Sequence, residues 1–207
     1  MNQAEVLRQG LAALDINATE EQIEQWLEYQ QLLRRWNKVY NLTSIDEAEA
    51  MLTTHLLDSL SVAAFITGSL IADVGSGGGL PGIPLAILFP ERKFTLIDAV
   101  GKKVRFQRQV TTELQLDNVQ AVHSRIEKFK PERPFDQIIS RAFSSLSDFV
   151  FLTEPVLALN GAWLAMKGRL PEQELAALDK KFEYTVTPLT VPGLDAERHL
   201  VQITQKP

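Results

Sequence analysis

Gly75-x-Gly77-x-Gly79 follows the apolar run Leu70–Val74 directly, Asp73 lies within that run, and Pro81, Gly82 and Pro84 prolong the break. Glycine has no Cβ and adopts positive φ freely, so alternating glycines let the backbone turn sharply and approach a ligand closely. A proline fits the first turn of a following helix, whose free N–H groups would then face that ligand. Gly77-x-Gly79-x-x-Gly82 also satisfies the dinucleotide-binding pattern literally, in a register that starts two residues late after the apolar run. No Gly-Lys-Ser/Thr is present, which excludes a P-loop. The second chemical position is Asp98, about 20 residues downstream at the end of the next apolar run, where a carboxylate can accept hydrogen bonds from both hydroxyls of a ribose. Its alternative role is to cap a helix starting near Gly101. The third is Ser124–Phe129 (SRIEKF), where Ile126 can lie against an adenine face while Glu127 or a main-chain amide reads its edge. The three together describe an adenosine pocket along consecutive strand ends.

The elements that must position these residues come in two textures. Residues 1–67 read as a helical extension and 68–207 as a Rossmann-like α/β domain, one compact unit overall. In the first part, Thr19-x-x-Gln22 is a capping-box pattern, followed by Ile23, Trp26, Leu27, Leu33, Trp36 and Tyr40 at helical spacing. Ser44-x-x-Glu47 predicts a second capping box, opening one helix that runs on to Phe65. From Leu70, short β-rich runs alternate with amphipathic segments: LIADV, FTLID, VQAVH, FDQIIS, AWLAM, YTVTPL and HLVQIT. This alternation predicts a seven-stranded, mostly parallel sheet with helices on both faces. The link between the last two runs is too short for a helix, so they should pair antiparallel.

Composition narrows the partners. A chain of 207 residues with 45% hydrophobic content can bury roughly 70% of its unfolded surface. With no cysteine there is no thiolate metal site, disulfide framework or cysteine nucleophile, and no metal is expected. No signal peptide or membrane span is legible, so the expected location is the cytoplasm. The net charge of −5 argues against a polyanionic partner, but residues 1–60 hold four Lys or Arg against ten Asp or Glu, leaving the remainder slightly basic. Nucleic-acid binding by local basic clusters is therefore permitted.

Asp-x-Gly-x-Gly-x-Gly after the first strand resembles the class I S-adenosylmethionine-dependent methyltransferases. NKVYNLTS (37–44), HLLDSL (55–60), DVGSGGGLPGIPLAI (73–87), LIDAVGKKVRF (96–106), SRIEKF, ISRAF (139–143) and AERHL (196–200) occur in this order. Together they are similar to the glucose-inhibited division protein B family, bacterial methyltransferases acting on guanine N7 of small-subunit ribosomal RNA. Gly78, where the family often has proline, and Ala196, in place of glycine, depart mildly. The resemblance implies a class I fold and S-adenosyl-L-methionine as cofactor. It also implies 16S ribosomal RNA, free or in the small subunit, as partner. By it, Gly75 and Leu80 contact the cofactor, Ile126 and Glu127 hold its adenine, and Arg141 meets the cofactor or the target beside the methyl group. Gly77 and Asp98 join them on positional grounds.

Absences speak to the acceptor. Pyrimidine C5 methylation needs a cysteine, and exocyclic amines commonly meet an Asn/Asp-Pro-Pro-aromatic motif where this chain has ISRAF. Arg141 is permanently cationic and cannot act as a base. Guanine N7 is an in-plane acceptor on the major-groove edge and needs neither device, so no residue is assigned a proton-transfer role. For RNA, Lys102, Arg105 and Arg108 form a loose stripe, and Arg34, Arg35 and Lys38 a second cluster. His55, Lys167 and Arg198 are weaker candidates, and Trp26 and Trp36 read as core. Three alternatives stay open: a small-molecule methyltransferase with the helices as a lid, a nicotinamide oxidoreductase, and a non-catalytic ribosome-assembly factor.

Overall fold

The computed structural model describes residues 2–141, 143 and 145–206. Ala142, inside the ISRAF run, lies outside the described residues. Two helices, α1 (Gln3–Ala13) and α2 (Glu20–Tyr40), open the chain. The expected capping box forms at α2: the Thr19 hydroxyl accepts from Gln22 N, and the Gln22 side chain accepts from Thr19 N. At its far end Asn41 takes the left-handed conformation and stops the helix.

The second capping box does not form. The next helix, α3 (Ala48–Met51), has Glu47 at its N-cap position and no side-chain cap. Thr43 is the residue that anchors this loop. Its N–H donates to Asn37 Oδ1, and its hydroxyl pairs with His55 Nε2 and accepts from Ile45 N. Nor does one helix run on to Phe65. After α3 come a π-helical turn (Leu52–Leu57), the short α4 (Asp58–Leu60) and a 3₁₀ turn (Ala63–Phe65). The Thr53 hydroxyl bonds back to Glu49 O and Ala50 O, the side-chain competition that loosens a helix. The widened segment turns His55 and Asp58 inward, where both are buried.

The remainder is β1 (Leu70–Val74), α5 (Gly82–Leu88), β2 (Lys93–Asp98), α6 (Gly101–Glu113), β3 (Val119–His123), β4 (Phe135–Ser140), α7 (Leu146–Thr153), β5 (Leu157–Lys167), α8 (Glu172–Ala176), β6 (Phe182–Pro188) and β7 (His199–Gln205). All seven runs read from the sequence are strands. Their order is β3-β2-β1-β4-β5-β7-β6. The first five pair in parallel, and β7 runs antiparallel to both neighbours. Strand order reverses between β1 and β4, and in open α/β sheets ligands bind beyond the carboxyl ends of the strands at that point.

Adjacent residues of β1 serve different cores, as a period of two requires. Ile71 belongs to the core that also holds Leu7, Trp26, Leu33, Phe94 and Phe106; Ala72 belongs to the one that holds Ile97, Phe149, Trp163 and Ile203. Residues of α1 and α2 thus share one continuous core with a face of the sheet.

Candidate active site

β1 delivers the chain into the glycine loop, where Gly75, Gly77 and Gly79 have φ of 73°, 57° and 87°, a region that other residues avoid. Three elements hold this loop. Gly75 N and Ser76 N both donate to Ile97 O of β2. Gln107 of α6, fully buried, donates its amide protons to Ser76 Oγ and Gly77 O, each at 2.8 Å. From α2, the buried Tyr29 hydroxyl donates to Gly78 O at 2.6 Å. On the same helix Trp26 Nε1 donates to Pro84 O, and Gln22 Nε2 to Ile87 O and Leu88 O. Three and four residues apart, Gln22, Trp26 and Tyr29 share one helix face. That face grips main-chain carbonyls from Gly78 to Leu88.

Asp73 is completely buried. Its Oδ2 accepts from Gly82 N at 2.8 Å, and its Oδ1 has no hydrogen-bond partner among the described residues. Burial pushes this carboxyl up to about 7, against the pull of the Gly82 amide and the Arg141 charge. The sequence suggested that the amides opening α5 would face a ligand. Instead Gly82 N is taken by Asp73, while Leu80 N and Ile83 N turn back to Ser76 O and Gly79 O.

Asp98 joins the loop to the next turn. Its Oδ2 accepts from Gly77 N and its Oδ1 from Val100 N, both at 2.8 Å, with Lys103 Nζ at 4.0 Å from Oδ2. The N-cap of α6 is Val100, so Asp98 is not the cap considered as its alternative. A carboxylate offers about four lone-pair sites, so two amides leave room for further donors.

A cavity of about 390 Å³ opens over the glycine loop, walled by Gly75, Gly77, Leu80 and Arg141 on one side and by Thr43, Ile45 and His55 on the other. The size suits a small-molecule site. A Cβ on Gly77 would stand 3.9 Å from Gly75 O and 4.0 Å from Lys103 Nζ. The protein itself therefore has room for a side chain there, and the positive φ is the one constraint within the chain that favours glycine. Asp98 reaches this loop through Gly77; Ile126, buried, and Glu127, exposed, sit on the turn after β3 and are not in the cavity wall. A larger concavity of about 620 Å³, bordered by Lys93, Asn118, Lys130 and Arg133, opens where β2 and β3 begin. That is the wrong end of the strands for a ligand in this sheet type.

Arg141 leaves the end of β4 and donates from Nη1 to Asp58 Oδ2 at 2.7 Å and to Thr54 O at 3.3 Å. The other Asp58 oxygen accepts from Arg198 Nε at 2.7 Å. Asp58 escaped the sequence reading of the site; its signal was a lone acid inside HLLDSL, an otherwise apolar helical stretch. Burial, reinforced by Arg141, lowers His55 to about 4, so its ring is neutral and serves to hold Thr43.

The basic candidates are scattered. Lys102, Arg105 and Arg108 are exposed on α6, but Lys102 Nζ donates to Tyr40 O and Arg108 Nε to Ala121 O. Arg35 and Lys38 are exposed near the end of α2, and Arg34 Nε reaches Asp46 O. Trp26 is buried core, and Trp36 packs against Tyr40 and Phe106. Among the described residues no group of three or more His, Cys, Asp or Glu could hold a metal ion, and no helix is long and apolar enough to cross a membrane.

Residues 22–201 match the family model GidB, rRNA small subunit methyltransferase G. The chain is 54% identical over 199 residues to the ribosomal RNA small subunit methyltransferase G of Pseudomonas syringae pv. syringae, covering 96% of this chain and 93% of that one. With the protein of the same name from Photobacterium profundum, identity is 48% over 201 residues, covering 97% and 98%. Among solved structures, magnesium protoporphyrin IX methyltransferase from Synechocystis PCC 6803 with bound SAM superposes with a TM-score of 0.62 at 13% identity, covering 86% of this chain and 97% of that one. That likeness establishes the class I methyltransferase fold, and at this coverage and identity to its relatives the chain belongs to the GidB family of small-subunit rRNA methyltransferases.

Proposed function

We propose that the protein transfers a methyl group from S-adenosyl-L-methionine to N7 of a guanine in small-subunit (16S) ribosomal RNA, as a cytoplasmic enzyme. The cofactor, when bound, supplies an electrophilic methyl group on a sulfonium. Gly75, Gly77 and Leu80 shape the floor that receives it, Asp98 meets the ribose hydroxyls, and Ile126 with Glu127 flanks the adenine. The order of these residues along consecutive strand ends supports that assignment. Residues 1–67 form an extension whose helix α2 braces the glycine loop, and 68–207 form the methyltransferase domain.

One observation carries the choice of N7. Among the described residues, the only titratable groups in the wall of the glycine-loop cavity are His55 and Arg141. His55 is lowered to about 4 and tied to Thr43, and a guanidinium does not lose its proton. Neither suits a general base at neutral pH, where a base works best with its pKa near the operating value. N7 attacks through a lone pair and has no proton to lose. The residues' contribution is then to orient an in-line displacement and to tolerate charge passing from sulfur to the ring.

The test is transfer of labelled methyl to ribosomal RNA from a strain lacking the gene, with the position read by strand scission specific for N7-methylguanine. Label in small-subunit RNA at a scission-sensitive guanine is the expected result. Label on free guanosine without dependence on RNA, or on an exocyclic amine, would overturn it.

A further inference from the structure

A second, smaller cavity of about 170 Å³ adjoins the first, with Arg141 and Thr54 in the wall of both. Its other charged walls are Asp58, Lys167 and Arg198. The topology explains why three cations distant in sequence converge here. Arg141 follows β4, Lys167 ends the parallel neighbour β5, and Arg198 immediately precedes β7. Because β7 runs antiparallel to β5, with Lys167 opposite His199, its start lies at the same edge of the sheet.

Asp58 organises this edge. Its side chain is 5% exposed, and each of its oxygens takes one guanidinium at 2.7 Å. A guanidinium has five N–H donors. Asp58 with the main-chain oxygens of Thr54 and Glu197 accounts for two on each arginine. The orientation of both planar forks is thereby set while donors remain. Lys167 is held by Glu174 at 2.7 Å and by Phe143 O. One buried carboxylate between two guanidiniums leaves positive charge in excess, and oriented guanidiniums match phosphate oxygens.

We propose that this cavity is an oxyanion subsite that receives a phosphodiester of the RNA next to the target base, and that Asp58 is the positioning residue that pre-orients Arg141 and Arg198 for it. The inference rests on the proposed RNA substrate. The cofactor's own carboxylate is the competing anion; neither Lys167 nor Arg198 is in the wall of the glycine-loop cavity, which favours the phosphodiester.

The experiment compares full-length wild type with Asp58→Asn, Arg198→Lys and Arg198→Ala. It measures methyl transfer to unmethylated small-subunit rRNA, the salt dependence of RNA binding, and calorimetric affinity for S-adenosylhomocysteine. Arg198→Ala should raise the KM for RNA about tenfold and reduce the log–log salt slope by about 0.7–0.9, with cofactor affinity within twofold. Arg198→Lys keeps the charge without the fork, so it should retain the salt slope and still raise KM. Asp58→Asn removes a negative charge. If Asp58 merely damped the local potential, RNA would bind more tightly; a positioning role predicts a higher KM and lower kcat/KM. Tighter RNA use by Asp58→Asn would overturn the positioning role. An unchanged slope and KM in Arg198→Ala, or a loss confined to S-adenosylhomocysteine, would overturn the subsite. If Asp58→Asn failed to fold, the variants of the half-buried Arg198 would decide the matter. A wild type that methylates no RNA would refute the enzyme's proposed function, whereas an active wild type with indistinguishable variants would refute only the subsite.

Discussion

Changing Gly77 to Ala separates a glycine kept for a turn from one kept for a ligand. Gly77 has φ +57°, and a Cβ there would meet nothing closer than Gly75 O at 3.9 Å and Lys103 Nζ at 4.0 Å. The folding cost is then the left-handed backbone alone, about 1–2 kcal/mol. Against a typical stability of about 5–15 kcal/mol, the variant should remain folded. The new methyl group stands near Lys103 Nζ, the ion-pair partner of Asp98, on the side where the cofactor's ribose is expected. Its overlap with ligand should cost at least about 2.7 kcal/mol, a hundredfold in affinity. Gly79→Ala is the contrasting control. There φ is +87° and the Cβ would stand 2.2 Å from Ile83 Cδ1, so the damage should fall on the fold. Urea unfolding and calorimetric titration with S-adenosylhomocysteine on both variants give the two numbers needed. A Gly77→Ala protein with wild-type affinity would return that glycine to turn chemistry.

Tyr29→Phe leaves Gly78 O without its buried donor, a loss of about 1–3 kcal/mol. Part should appear as weaker cofactor binding; affinity identical to wild type would confine α2 to a scaffolding role. Asp73 has a carboxyl raised from 3.8 to about 7 by burial. The stability this contributes is complete below about 3.8 and is lost as pH rises through about 7. Asp73→Asn should flatten that dependence and gain most on wild type at pH 8; parallel melting-temperature profiles would contradict it. Neutralising Lys102, Arg105 and Arg108 together should weaken RNA binding and lower its salt slope by about 0.7–0.9 per contact, leaving cofactor affinity intact. An unchanged slope would make the stripe a solvated surface.

The parts of this fold legible in the sequence are those with a local cause. Six of the seven strands are short β-rich runs bounded by turn residues, whereas β5 starts at Leu157 and takes in Asn160 and Gly161 ahead of AWLAM; the Thr19–Gln22 box is complete within four positions. The turn at Gly75 and Gly77 was readable because positive φ favours glycine, and Asp98 because it stands at a strand end, where it accepts from Gly77 N. What stayed hidden depends on packing between distant segments. Ser44 and Glu47 spell a capping box, yet Thr43, tied to Asn37 and His55, decides the loop. Tyr29 and Gln107 look like ordinary helix residues until the carbonyls of Gly78 and Gly77 arrive opposite them. Asp58 acquires its meaning only when β4 and β7 bring two arginines to its oxygens.

Methyl transfer by orientation without a general base has its sharpest signature in the single-turnover rate as a function of pH. At saturating cofactor and RNA and constant ionic strength, rapid-quench transfer of labelled methyl should be nearly flat between about pH 6 and 9, since a base-dependent step would lose roughly tenfold per pH unit below its pKa. His55, lowered to about 4, stays neutral throughout that range. Asp73, raised to about 7, is sealed behind Gly82, and any bend it causes should vanish in Asp73→Asn. A unit-slope acidic limb that persists in Asp73→Asn and disappears on removing another Asp, Glu or His would establish a general base and contradict attack by N7.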